Sequence, residues 1–154
     1  IAALCHFVNT KRRMEVKGVV NNITVYDDFA HHPTAIATTL GGLRHNIGNQ
    51  ARLIAVLEFG SYTMKKGIHK DTLLQSMAVA DNILLARPQE ESWDLDKMVT
   101  ISQGKAHIFD TAEQIVAELA KIAEPGDHIV VMSNKGFDGI HEKILQRLGN
   151  MKHF

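Results

Sequence analysis

The chain has 154 residues, 45% of them hydrophobic and 22% charged, the make-up of one ordinary globular domain. Its 17 lysines and arginines balance 17 aspartates and glutamates, so no basic face or acidic tail points to nucleic acid or to an anionic membrane. Apolar runs fall far short of the roughly 20 residues that span a bilayer, and the single cysteine, Cys5, leaves no disulfide framework and no CxxC zinc ribbon. That cysteine usage fits a reducing compartment, and a cytoplasmic setting is expected. The opening Ile1-Ala2-Ala3-Leu4 has neither an initiator methionine nor a signal peptide's basic start, so the sequence reads as a piece of a longer protein.

Met14 to Val20 and Ile23 to Tyr26 are short β-branched runs separated by Asn21-Asn22, residues that tolerate the positive φ of a tight turn, and they predict an antiparallel hairpin. Pro33 then suits the first turn of a helix, with Ala35, Ile36, Leu40 and Leu43 at helical spacing as far as about His45. Arg52 to Phe59 is a near-continuous apolar run, the pattern of a strand buried on both faces of a parallel sheet. A polar loop over Gly60 to Gly67 leads to a helix over about Ile68 to Ala78 and a strand over Asn82 to Ala86, while Arg87 to Val99 is assigned no element. Ala106 to Phe109 is a further strand. Asp110 with Glu113 has capping-box spacing before a helix carrying Ile115, Leu119 and Ile122 on one face. Pro125-Gly126-Asp127 turns the chain into the strand His128 to Ser133, and an amphipathic helix ends near Leu148. Strands alternating with helices demand right-handed crossovers. The expected fold is therefore α/β: a three-layer helix-sheet-helix sandwich with a mostly parallel, Rossmann-like sheet and an N-terminal antiparallel hairpin.

Ligands of such sheets bind beyond the carboxyl ends of the strands, which singles out three loops. Asp27-Asp28-Phe29-Ala30-His31-His32-Pro33 gathers two carboxylates and two imidazoles ahead of a helix. These residues serve either a ligand or plain capping by Asp28 or Thr34 with solvated histidines. A metal would need a third ligand at a recognised spacing, and none is assigned. Glu58 to Gly67 combines glycines, hydroxyls and lysines, suited to an anion or equally to a solvated loop. Ser133-Asn134-Lys135-Gly136-Phe137-Asp138-Gly139 is a glycine-containing turn able to aim backbone N–H groups at a carboxylate or phosphate. Neither a P-loop nor a dinucleotide fingerprint occurs, so phosphoryl transfer by this segment alone is not expected. The scattered methionines read as core filling, and His45, His69, His107, His128 and His141 as lying on surfaces or sheet ends.

Arg12-Arg13-Met14-Glu15, the hairpin, and Val25-Tyr26-Asp27-Asp28-Phe29-Ala30-His31-His32-Pro33-Thr34-Ala35 together resemble the start of the C-terminal domain of the Mur ligases, ATP-dependent amide-forming enzymes of peptidoglycan synthesis. The double histidine before proline is similar to members acting on UDP-N-acetylmuramate. Leu57-Glu58 leading to Thr63-Met64-Lys65, and Met132-Ser133-Asn134 with Gly136-Phe137 and Gly139-Ile140-His141, resemble the recycling branch, which attaches the tripeptide L-alanyl-gamma-D-glutamyl-meso-diaminopimelate. The resemblance covers roughly residues 3 to 149.

By that resemblance, residues 1–10 end a preceding ATPase domain and its linker, 11–150 form the peptide-binding C-terminal domain, and 151–154 are a tail. Arg13, Asp28, His31 and His32 approach the nucleotide. Ser61, Tyr62, Thr63, Lys65, Asn134, Lys135, Gly136 and Phe137 meet the incoming peptide, whose carboxylates suit lysines and backbone N–H groups. ATP and Mg2+ are the implied cofactors, bound mainly by a central domain that, with the N-terminal one, lies outside this sequence, so no catalytic residue is expected here. Asp28→Ala is expected to weaken nucleotide-dependent turnover with the fold intact. Two departures stand out: Phe59-Gly60-Ser61-Tyr62 replaces proline-arginine-serine-asparagine, and Lys135-Gly136-Phe137-Asp138 replaces glycine-glycine-phenylalanine-glycine. The alternatives are the branch that adds L-alanine and a non-catalytic α/β module binding an anionic ligand.

Overall fold

A computed structural model of the chain describes residues 14–30, 32–58, 70–87, 100, 102, 104–133 and 137–150. The hairpin pairs β1 (Glu15–Val20) with β2 (Ile23–Asp28), and both turn residues take positive φ, 49° at Asn21 and 63° at Asn22, as the dipeptide predicts. The register slips between Val16 and Gly18. Gly18 lies close beneath the last helix, where a Cβ would stand 3.0 Å from the Leu145 methyls.

Helix α1 (Pro33–Ile47) leads to β3 (Leu53–Glu58), and α2 (Lys70–Ser76) to β4 (Asn82–Ala86). After β5 (Ala106–Phe109) come α3 (Ala112–Ile122), β6 (His128–Met132), a 3-10 turn (Phe137–Gly139) and α4 (Ile140–Gly149). The six strands lie in the order β1-β2-β6-β3-β4-β5, antiparallel only at the hairpin. This is the mostly parallel three-layer architecture that the alternation of elements implies.

Period-two alternation assigns each strand's side chains to the two outer layers. Leu53, Ala55 and Leu57 of β3 pack with Ile36, Leu40 and Leu43 of α1, with Leu73 of α2 and with Met77 in the turn after it. Ile54 and Val56 pack with Ile115 and Leu119 of α3 and Ile140, Ile144 and Leu148 of α4 on the other face. Because β3 is buried on both sides, its sequence reads as a continuous apolar run.

One boundary differs from the sequence reading. The cap of α3 is Thr111, whose Oγ1 accepts the Gln114 N–H at 3.1 Å, while the Gln114 side chain accepts from the Asp110 N–H at 2.8 Å. The reciprocal pair is thus shifted one residue from Asp110 and Glu113, and a hydroxyl does the capping.

At the amino edge of the sheet, charges close on each other. Arg52 grips Asp127 with two bonds of 2.6 and 3.1 Å, and Arg44 meets Asp81 at 2.7 Å. The Asp127 hydrogen bond holds the Arg52 guanidinium above its usual pKa against the burial that opposes it. Burial pushes the Asp81 carboxyl up, but the Leu53 N–H and Arg44 outweigh it and hold it below its ordinary range.

Candidate functional site

The opposite, carboxyl edge is built differently. Strand β6 lies between β2 and β3, with Met132 level with Asp28 on one side and Leu57 on the other. The chain after β2 and β3 turns to the α1–α2 face, whereas after β6 it turns to the α3–α4 face. Sheets of this kind bind ligands where neighbouring strands send their loops to opposite sides.

Asp27 and Asp28 end β2 on opposite faces. Asp28, 6% exposed, faces α1; its carboxylate accepts the Met14 N–H at 2.9 Å, the Ala30 N–H at 2.8 Å and the Thr39 hydroxyl at 3.3 Å. Asp27, 3% exposed, faces α4, where its Oδ1 lies 2.9 Å from Nε2 of His141, itself 8% exposed. Beside it Ser133, fully buried, donates its N–H to the Asp28 carbonyl at 3.1 Å and its hydroxyl to Glu58. Asp28 and Glu58 thus find neutral donors and no guanidinium or ammonium among the described residues.

Asp28 does not cap α1, and neither does Thr34. His32 occupies the N-cap with no side-chain cap bond, Pro33 follows, and the first turn carries no acid. The expected cap is missing because the Asp28 carboxylate is spent upstream, on the turn it shares with Met14 and Ala30. Asp28 thus has a structural part besides any part at a nucleotide, since three donors rest on its carboxylate.

Among the predicted nucleotide-side residues, the structure describes Asp28, buried as above, and His32, exposed at the mouth of α1. Arg13 and His31 lie outside the described residues. So do Ser61, Tyr62, Thr63, Lys65, Asn134, Lys135 and Gly136 of the predicted peptide loops. Phe137 is described, and its ring is 4% exposed within the α3–α4 core, so only its backbone is available to a ligand. It takes φ 52°, and Gly139 at the N-cap of α4 takes 66°.

Asp27, Glu58 and Ser133 lie in the three candidate loops without an individual role assigned to them, and His141, expected on a surface or sheet end, is buried. A signal for His141 was present. It falls on the stripe Ile140, His141, Ile144, Leu148 that α4 buries. The alternation of β2 likewise turns Asp27 away from Asp28. Among the described residues no three His, Cys, Asp or Glu side chains stand together as a metal would require. No described helix is long and apolar enough to cross a membrane.

A mostly parallel sheet between two helical layers, with carboxylates at the ends of its central strands, is an α/β domain of the doubly wound class. The chain belongs to the family described as Mur ligase, glutamate ligase domain, which matches residues 12–135. It is 48% identical over 146 residues to the Escherichia coli K12 UDP-N-acetylmuramate–L-alanyl-gamma-D-glutamyl-meso-2,6-diaminoheptandioate ligase, covering 95% of this chain and 32% of that protein. A murein peptide ligase from Psychrobacter arcticus superposes with a TM-score of 0.84 at 43% identity, over 99% of this chain and 33% of that one. A crystallised Haemophilus ducreyi domain attributed to the same kind of ligase gives 0.76 at 43% identity, over 88% of this chain and 99% of that domain. The chain thus spans about a third of the length of the full-length relatives it matches.

Proposed function

We propose that this chain is the C-terminal domain of an ATP-dependent ligase that joins L-alanyl-gamma-D-glutamyl-meso-diaminopimelate to UDP-N-acetylmuramate in peptidoglycan recycling, a cytoplasmic reaction. What carries the reading is that the chain matches, along nearly its whole length, a ligase named for that pair of substrates. On this reading residues 1–10 close a preceding ATPase domain, 11–150 form the acceptor domain and 151–154 trail it. Its partners are those two substrates and the protein's own N-terminal and central domains.

The chemistry of such a ligase activates the lactyl carboxylate of the muramate as an acyl phosphate. The peptide's alanyl amine then attacks the carbonyl, an amide forms and phosphate leaves. This domain's contribution is proximity and closure. On the nucleotide side, Arg13, His31 and His32 meet ATP, while Asp28 holds the main chain of Met14 and Ala30 in place. The uncapped first turn of α1 supports the assignment, since its N–H groups and dipole favour an anion. On the acceptor side, Ser61, Tyr62, Thr63 and Lys65 face the peptide together with the loop Asn134, Lys135, Gly136 and Phe137, the last through its backbone.

The test is phosphate release by the full-length protein with ATP, magnesium and UDP-N-acetylmuramate. Turnover with the tripeptide and none with free L-alanine is expected. Turnover with L-alanine alone moves the protein to the alanine-adding branch, and no turnover with either leaves a binding module.

A further inference from the structure

Asp27 and Asp28 are consecutive, yet the strand sends their carboxylates to opposite layers. Asp28 ties together Met14, Ala30 and Thr39, all on the α1 side. Asp27 reaches across 114 residues of sequence to His141, in the first turn of α4. Ser133 and His141 are both bonded to this one dipeptide, Ser133 to the Asp28 carbonyl and His141 to the Asp27 carboxylate. Two further anchors are the hydroxyl of Ser133 on Glu58 and the Phe137 ring in the core.

A left-handed φ at a non-glycine such as Phe137 persists only where its surroundings over-determine it. The described anchors contribute to that constraint, and the His141–Asp27 bond ties the first turn of α4 to the end of β2. The carboxylate also stands at the positive end of α4, where a negative charge is favoured. We propose that Asp27 and His141 are a positioning pair, setting the 3-10 turn Phe137–Gly139 and the first turn of α4 against the end of β2, so that acceptor and nucleotide sides are held in register by adjacent residues of one strand. The inference deepens the proposed function and rests on it for assigning that turn to the peptide. Neither residue touches the reacting atoms.

The experiment has two arms. In the full-length protein, His141→Ala raises the KM for the tripeptide about tenfold, because a small displacement of a positioning element is felt strongly in the complex it positions, while the KM for ATP stays within about twofold. His141→Gln, whose amide N–H can still donate to Asp27, restores most of the loss. An unchanged tripeptide KM, or a parallel rise for all three substrates without rescue by glutamine, overturns the pair. In the 154-residue chain alone, His141→Ala speeds amide exchange over residues 137–142 about tenfold, the factor expected for one lost buried hydrogen bond, and leaves β3 and β4 as they were. Unchanged exchange there overturns the proposal even if the kinetics move. If the wild-type protein turns over no tripeptide, the functional reading falls, and the exchange arm alone decides the pair.

Discussion

The amino edge of the sheet and the ends of β2, β6 and β3 satisfy their charges by different means. At the amino edge the anions Asp81 and Asp127 meet Arg44 and Arg52, and Arg52 also donates to the Ile122 carbonyl at 2.5 Å. At the carboxyl edge Asp28 and Glu58 are met by main-chain N–H groups and hydroxyls, and Asp27 by an imidazole. A cation–anion clamp is closed and leaves little for a ligand. Where β2, β6 and β3 end, Asp28 and Glu58 are satisfied by uncharged donors and keep their negative charge, whereas further along the same edge Arg87 meets Asp110 at 3.0 Å. The difference separates a region that stabilises from one suited to binding.

Breaking the clamp is the largest test of this contrast. Arg52→Ala leaves the Asp127 carboxylate, 4% exposed, with only the Glu124 N–H among its described side-chain partners, and is expected to lower the unfolding free energy by about 3 kcal/mol in urea titration. Turnover per folded molecule in the full-length protein stays at the wild-type level. A loss of activity beyond the unfolded fraction would erase the division between the two regions.

Asp28→Ala is the counterpart at the other edge. It removes three accepted bonds and costs about 2 kcal/mol, and unlike Arg52→Ala it also raises the KM for ATP in the folded fraction. An ATP KM equal to wild type would reduce Asp28 to a structural carboxylate. A smaller effect comes from Thr111→Ala, which takes the cap from α3 at the same edge. About 1 kcal/mol of stability is expected to go, with no change in either KM, since Thr111 follows β5, the edge strand at the far end of the order from the β1–β2 hairpin.

The smallest expected effect is on pH. His128, at the start of β6, lies 2.8 Å from the Tyr26 hydroxyl through Nδ1, and burial lowers its pKa while Asp127 only partly offsets this. A histidine depressed in the folded state binds its proton more readily when unfolded. Its contribution is therefore complete above about pH 6.5 and is lost as pH falls toward the depressed value. Asp81, also depressed, adds a second loss only below the ordinary carboxylate range near 4. Stability measured against pH should thus decline in two stages on acidification, and His128→Gln should remove the first. A single decline confined to the carboxylate range in the wild-type chain would contradict the histidine's part.

Much of the fold was legible because its signals are local. The Asn21-Asn22 turn, the apolar runs of β3, β4 and β6 and the spacing of Ile36, Leu40 and Leu43 each declare themselves within a few residues. The site was legible only as loops. Asp28 was recognisable as a site residue, but its three donors come from Met14, Ala30 and Thr39 on three separate segments, and no local pattern brings them together. His141 is a sharper case, since its partner lies 114 residues earlier and only the insertion of β6 between β2 and β3 brings α4 against Asp27.

By itself the sequence determined the order and type of the elements, the family resemblance and the loops where ligands belong, because periodicity, turn chemistry and motif spacing are properties of neighbouring residues. The tertiary structure alone decided that Phe137 is core rather than contact, that Thr111 rather than Asp110 caps α3, and that two adjacent aspartates serve opposite faces of the sheet. Those outcomes depend on which strands become neighbours, and burial and hydrogen bonding between distant segments settle that only when the whole sheet has closed.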